Sequence, residues 1–120
     1  MKHALNTLFS LGAAALLVAL TGCSPHPATG NWIASTGSDS EFSRLEVTYE
    51  GRANLFEPGE EKAGRHCFWS GENKQAISMS CKPAFNTDIE EFYRLEIGED
   101  GIASLMRKGE VKARFSRQTE

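Results

Sequence analysis

The strongest constraint on the fold is an apolar side chain at every second position in four segments of the chain. A two-residue period places the apolar side chains on one face of a β-strand and the polar side chains on the other. This pattern is typical of an antiparallel sheet with one face in water. The apolar positions are Leu45, Val47 and Tyr49; Ile77, Met79 and Cys81; Tyr93, Leu95 and Ile97; and Val111, Ala113 and Phe115.

Short links that contain glycine separate these segments. Glu50-Gly51, residues 98–101 and Lys108-Gly109 are tight links of the kind that favours β-hairpins. Between two of the strands we predict a turn or short helix within residues 86–91, with Asn86 or Thr87 as its cap. The predicted strands lie near residues 30–36, 42–50, 52–57, 64–70, 75–82, 91–98, 101–107 and 110–117.

The fold class follows from these strands. A meander of short strands that closes on itself leaves no exposed edge. We therefore predict an all-β domain at residues 30–117, a small antiparallel up-and-down barrel of about eight strands, with a C-terminal tail at 118–120. The alternative is an open, strongly bent antiparallel sheet. Large aromatic side chains in the inward set favour a filled interior. That set includes Trp32, Leu45, Val47, Tyr49, Leu55, Trp69, Ile77, Met79, Tyr93, Leu95, Ile97, Val111 and Phe115.

The N-terminus has the three parts of a secretory signal peptide. A basic start is followed by an apolar run from Leu8 to Leu20 and by small residues, which predicts a cleaved signal at residues 1–22. The apolar run is too short to span a bilayer well as a permanent helix. Leu20-Thr21-Gly22-Cys23 resembles the lipobox of bacterial lipoproteins. The resemblance implies that Cys23 becomes the first residue of the mature chain and carries fatty acyl groups such as palmitate. The alternative is an ordinary signal peptide with a chance cysteine.

Residues 23–29 are predicted to link the acylated cysteine to the barrel. Two prolines among Ser24 to Thr29 favour an extended tether, short enough to keep the domain close to the membrane. Ser24 stands where an aspartate would resemble an inner-membrane retention signal. By that resemblance we expect an anchor in the outer membrane, with the domain facing the periplasm.

The two remaining cysteines form an even pair in an oxidising compartment. This context favours a disulfide between Cys67 and Cys81. Folding the chain about Lys74 places the two cysteines opposite each other on adjacent strands, where a non-hydrogen-bonded pair can meet disulfide geometry. The alternatives are two buried thiols or a metal site that includes His66, although a metal would need more ligands.

Three residues at the ends of the domain carry a second resemblance. Gly30-Asn31-Trp32 opens the first strand and Arg117 closes the last, which resembles the lipocalin-like barrels. The resemblance implies that Trp32 stacks against Arg117 and closes one end of the barrel. The size of the domain, its Gly-x-Trp motif and its single cysteine pair are also similar to the small periplasmic barrels that inhibit bacterial metalloproteases. In those inhibitors the segment before the barrel enters the protease, a role that would fall on residues 24–29.

The polar residues suggest neither catalysis nor a cofactor. The acidic pairs Glu60-Glu61 and Glu90-Glu91 fall in apparent loops and are expected to be solvated, and no histidine has the spacing of a metal site or catalytic base. Removal of the signal changes the formal charge from −3 to −4, and no basic stripe suggests nucleic-acid binding. We therefore expect a monomeric protein that is not an enzyme.

Phenylalanines on the polar faces of the strands offer a binding surface. Phe56, Phe68 and Phe92 are predicted to point outward, and an exposed apolar patch of this kind marks a partner site. The alternatives are that residues 83–91 cover them, or that the strand register differs by one residue. The sequence favours a protein-binding or inhibitor module of the cell envelope with an unknown envelope protein as partner. A carrier of a small apolar ligand and a structural accessory of an envelope complex are the alternatives.

Overall fold

The computed structural model describes residues 25–35 and 39–119, which form eight antiparallel strands closed into a barrel. Each strand pairs with the next one in sequence, and β1 pairs with β8 to close the sheet. The all-β fold and the closed up-and-down barrel are thus confirmed over the open sheet. The predicted signal peptide and Cys23 lie outside the described residues. The strands are β1 (Gly30–Ala34), β2 (Arg44–Val47), β3 (Arg52–Phe56), β4 (Arg65–Asn73), β5 (Ala76–Pro83), β6 (Glu91–Ile97), β7 (Ala103–Arg107) and β8 (Glu110–Arg117).

The interior is filled by side chains from all eight strands. Ala53, Ala103 and Ala113 are small inward residues and leave room for the bulky Trp32 and Phe115, which are fully buried. Alternation of small and large residues lets the two sides of a barrel interdigitate. The predicted inward orientation is confirmed for Trp32, Leu45, Val47, Leu55, Ile77, Met79, Tyr93, Leu95 and Phe115, while Trp69 and Ile97 are partly buried against this core.

Two residues assigned to the interior lie outside. Tyr49 is exposed because β2 ends at Val47 and the chain has already begun its turn into β3. Val111 is exposed because a β-bulge interrupts the β7–β8 pairing, where Leu105 pairs with Ala113 but the next residue of β7 pairs with Val111. One extra residue on a strand reverses its alternation.

The predicted turn within residues 86–91 is present, and the chain reverses next to Lys74 between β4 and β5. Residues 86–91 contain turns and no helix, and the side chain of Asn86 accepts a hydrogen bond from the Asp88 amide at 3.0 Å. The turn between β4 and β5 lies at Lys74-Gln75. In the described part of the chain, no helix is long and apolar enough to cross a membrane.

Cys67 and Cys81 form the predicted disulfide. They are directly opposed on β4 and β5, with their Cα atoms 4.0 Å apart, and both are buried. The two cysteines are 14 residues apart in sequence, and the bond joins the neighbouring strands β4 and β5. The disulfide therefore fixes the register on which the outward face of this wall depends.

We expect simultaneous replacement of Cys67 and Cys81 by alanine to lower the free energy of unfolding by about 3 kcal/mol, because the unfolded chain regains the entropy that the cross-link removes. Urea titration of wild type and variant, each with and without a reductant, measures this loss. Reductant should destabilise the wild type alone. An unchanged urea midpoint in the double variant would contradict a stabilising role.

Candidate functional site

The two ends of the barrel differ, and each is closed by polar contacts. The lower end contains Gly30, Arg117 and the turns at residues 48–51, 74–75 and 98–102. The upper end contains the loops at residues 57–64 and 84–90 and the turn at 108–109. The wall between them carries the exposed phenylalanines.

At the lower end of the barrel, the Arg117 side chain stacks on the Trp32 ring. The guanidinium carbon is 4.3 Å from the centre of the Trp32 ring, and a cation over an indole face is attracted by the ring's quadrupole. The Trp32 indole nitrogen donates a hydrogen bond to the Ala28 carbonyl at 2.9 Å. Gly30 has a φ of +128°, and a Cβ there would lie 2.9 Å from Arg117 Nη1. The glycine therefore admits the guanidinium, and the stacking implied by the Gly-x-Trp motif is present.

Residues 26–29 fold against this end, and we call them the N-terminal cap. The Thr29 amide bonds to the His26 carbonyl at 3.0 Å, which makes a turn with Pro27 in its second position. Ala28 is fully buried, and Arg117 donates to the carbonyls of Thr29 and Pro27. The prediction of an extended tether is wrong for these residues, because proline also favours the second position of a turn and the barrel supplies partners for the carbonyls.

His26 joins the cap to the β4–β5 hairpin. Its Nδ1 accepts a hydrogen bond from the Ala28 amide at 3.0 Å, so Nε2 carries the proton and donates to the Asn73 carbonyl at 2.6 Å. The ring meets Trp69 edge-on at 5.8 Å between centroids. A Cβ at Gly71 would lie 3.2 Å from the His26 ring, so glycine lets the ring approach β4. Sequence reasoning placed His26 in the tether and missed this contact.

At the upper end Glu91 is buried, contrary to the prediction of a solvated acidic pair. Its side chain accepts hydrogen bonds from Arg65 Nε at 2.6 Å and from the Tyr93 hydroxyl at 2.9 Å. Arg107 Nη1 lies 3.8 Å from the other carboxylate oxygen. Phe42 packs against Tyr93, and its ring centre is 5.2 Å from the Arg65 guanidinium carbon. Glu91 begins β6, where the strand turns it inward to these partners.

The protonation states of this cluster follow from burial and hydrogen bonding. Burial alone would raise the pKa of Glu91, but the hydrogen bonds from Arg65 and Tyr93 outweigh it and hold the pKa below its ordinary value. Burial and the hydrogen bond to Glu91 raise the pKa of Tyr93 to about 12. The carboxylate therefore stays ionised and engaged by its donors, which suits a structural ion pair. The described residues hold no group of three or more metal ligands.

Of the three phenylalanines that the sequence predicts to be exposed, one is buried and two are exposed. Phe56 is only 6 % exposed, so its assignment to a binding surface is wrong. It points outward, but Arg44 is its cross-strand partner and lays its guanidinium carbon 3.7 Å from the ring centre. Phe68 and Phe92 are 67 % and 66 % exposed, as predicted, and residues 83–91 do not cover them.

Phe68 and Phe92 are the two walls of a groove on the outer face of β4–β7. Ser80 pairs with both, Phe68 on one side and Phe92 on the other, so a small side chain separates two large ones. The groove has a volume of about 700 Å³. Its other outward lining residues include Ser70, Glu72, Ser78, Arg94, Met106 and Lys108.

Charged residues of both signs flank this groove. The Arg52 guanidinium carbon lies 5.9 Å from the Phe68 ring centre, and Lys82 and Lys108 are exposed nearby on β5 and at the end of β7. Arg94 contacts Glu72 at 2.7 Å and also bonds to Glu96. Ser80 donates to Glu90 at 2.6 Å.

Comparisons with protein-family models, curated proteins and solved structures gave no match to this chain. The lipobox and the Gly-x-Trp motif therefore remain sequence resemblances.

Proposed function

We propose that this protein is a lipid-anchored lipoprotein of the cell envelope whose barrel binds another envelope protein and carries out no catalysis. The anchor is Cys23, the membrane is the outer membrane, and the monomeric barrel faces the periplasm. The binding surface is the groove between Phe68 and Phe92. The single observation that carries the proposal is that two large aromatic side chains stand exposed across one serine on a rigid, disulfide-bonded wall.

The energetics of aromatic burial support this surface. An aromatic side chain that becomes buried in an interface supplies a large apolar area and loses little conformational entropy. Phe68 and Phe92 lie on strands that the barrel already holds in place, so binding would not need to order the backbone. Rigid aromatic anchors at the centre of a contact are typical of residues that dominate binding energy.

The charges around the groove define the chemistry of the partner. Arg52, Arg94 and Lys108 lie beside the groove, together with Glu72 and Glu90. Opposite charges across an interface accelerate association and select partners. The matching partner presents apolar side chains flanked by charged residues of both signs.

The interior argues against a ligand carrier, and the cap argues against a protease inhibitor that inserts its N-terminal segment. Trp32, Leu105 and Phe115 are fully buried and fill the barrel. This interior favours a packed core over a ligand-binding cavity. Ala28 and Thr29 are held on the barrel by Trp32 and Arg117, which does not favour insertion of this segment into a protease.

Site-specific cross-linking in cells tests the binding surface. A photoreactive amino acid at position 68 and one at position 92 are expected to give the same protein adduct, because both line one groove. Ile33, which is 41 % exposed on β1, supplies the control position and should not give that adduct. Purified partner should then bind the wild-type barrel and lose affinity for the Phe68→Ser/Phe92→Ser variant.

Two results would contradict a protein-binding groove. One is an adduct pattern at position 33 identical to that at positions 68 and 92. The other is a small extra mass in the native mass spectrum of residues 24–120 that disappears on denaturation, which would point to a ligand carrier.

Replacement of Cys23 by serine tests the anchor. Because acylation requires the thiol, the Cys23→Ser protein is expected to move from the membrane pellet to the soluble fraction. Ser24→Asp, which keeps the thiol, should remain in membranes but shift towards the inner membrane on a density gradient. Continued pelleting of a cleaved Cys23→Ser product would count against the lipoprotein assignment.

A further inference from the structure

We propose that the lower end of the barrel rests on the membrane surface, with Tyr49 among the lipid headgroups and the N-terminal cap setting the orientation. The partner of this surface is a phospholipid bilayer. The inference rests on the proposed acylation of Cys23, and it adds a contact surface that acylation alone does not define.

The length of chain between anchor and barrel limits where the barrel can sit. Three residue steps separate Cys23 from His26. Fully extended, they span at most about 11 Å. His26 must therefore stay within roughly that distance of the acylated residue, since no stretched chain reaches further.

Because hydrogen bonds fix the cap to the barrel, the short distance between Cys23 and His26 also limits how the barrel can be oriented. His26 is bonded to Asn73, Ala28 is buried and bonded to Trp32, and Thr29 is bonded to Arg117. A flexible tether of seven residues would leave the barrel free to turn over above the membrane. With the cap folded, the barrel end that carries His26 is the end that must face the bilayer.

An exposed aromatic side chain stands at this same end. Tyr49, in the β2–β3 turn, is 78 % exposed. The turn is tied to the cap region because Trp69, which contacts His26, donates a hydrogen bond to the Thr48 carbonyl at 2.9 Å. Tyrosine is favoured at membrane interfaces, where its ring meets apolar chains and its hydroxyl stays in water.

The charges of the lower end are mixed, so the contact does not depend on attraction to anionic lipid. Arg52, Lys74 and Arg117 are exposed at this end, and so are Glu50, Glu99 and Asp100 in its turns. These opposite charges nearly cancel, so the charge of the lipid headgroups contributes little to the contact. The aromatic contact and the covalent anchor must therefore hold the orientation, and it should persist on zwitterionic vesicles.

The orientation also places the binding groove. Phe68 is five residues from Asn73 on β4, or about 16 Å along the strand. With the lower end on the bilayer, the groove opens sideways and within reach of proteins at the membrane surface. This geometry matches a partner that is itself held at the membrane.

Tryptophan quenching by brominated lipids tests the orientation. The acylated mature protein, residues 23–120, is reconstituted in zwitterionic phosphatidylcholine vesicles that carry bromine near the headgroup end of the acyl chains. Tyr49→Trp is expected to add emission that these vesicles quench. Phe85→Trp is the matched control, because Phe85 is also 78 % exposed but lies in the 84–90 loop at the upper end, and its added emission should not be quenched.

A second variant tests the role of the cap. His26→Ala removes the bonds to Ala28 and Asn73, so quenching at position 49 should fall towards the value at position 85. Quenching that is equal at positions 49 and 85, or unaffected by His26→Ala, would overturn the proposed orientation while leaving the anchor intact. Failure of the wild-type protein to float with the vesicles would overturn the anchor itself, and the orientation with it.

Discussion

Glu91→Ala is expected to lower the free energy of unfolding by about 3–5 kcal/mol at neutral pH, the usual effect of removing one partner of a buried ion pair. Glu91 is only 7 % exposed and accepts hydrogen bonds from Arg65 and Tyr93. Its loss leaves the Arg65 guanidinium partly buried with Glu57 as its remaining salt-bridge partner. Chemical denaturation of wild type and variant measures the difference.

The pH dependence of this difference has a defined sign. The pKa of Glu91 is lowered in the folded protein, so the carboxylate contributes full stability above its ordinary pKa of 4.5. The contribution is lost as the pH falls through the lower folded value. The gap between wild type and Glu91→Ala should therefore be largest near neutral pH and shrink in acid.

Glu99 supplies the control for this prediction. It is exposed in the β6–β7 turn, so Glu99→Ala should change stability by no more than about 0.5 kcal/mol. A Glu91→Ala effect as small as that of Glu99→Ala, or one that does not change between pH 7 and pH 3, would show that the buried carboxylate does not stabilise the barrel.

The barrel could be predicted from the sequence because its signals are local. Alternation of apolar residues marks each strand, and glycine-bearing links mark the hairpins. The cysteine pair then fixes one register outright, since folding about Lys74 places Cys67 opposite Cys81, as observed. The exposure of Val111 was not predicted, because no local sequence signal marks the β-bulge that turns its side chain outward.

The missed contacts depend on residues that are distant in sequence. Whether Phe56 is exposed depends on its cross-strand partner Arg44, and whether Glu91 is solvated depends on Arg65, 26 residues away. His26 finds its acceptor on Asn73, 47 residues away. To predict each of these contacts, one must know how several strands pair. A pattern of hydrophobicity does not give that pairing. One such contact was foreseen, that between Trp32 and Arg117, because a resemblance supplied the pairing.

Trp32→Ala is expected to lower the free energy of unfolding by about 3–5 kcal/mol, the range for truncation of a large buried aromatic side chain. Trp32 is fully buried, and its removal also frees the Ala28 carbonyl and the Arg117 guanidinium that stacks on the ring. The loss should therefore spread to the cap. Denaturation gives the stability, and hydrogen exchange of the Thr29 amide, which bonds to the His26 carbonyl, reports on the cap.

Two further variants separate packing from the cap contacts. Trp32→Phe keeps an aromatic ring but removes the donor to Ala28, so the Thr29 amide should exchange faster while most of the packing stability is retained. Phe85→Ala, which truncates an exposed ring, should leave both measurements unchanged. If Trp32→Ala were as stable as Phe85→Ala, Trp32 would not be the residue that closes the barrel. If its Thr29 amide stayed as protected as in wild type, the cap would be held without Trp32, and His26 and Arg117 would be sufficient to fix it.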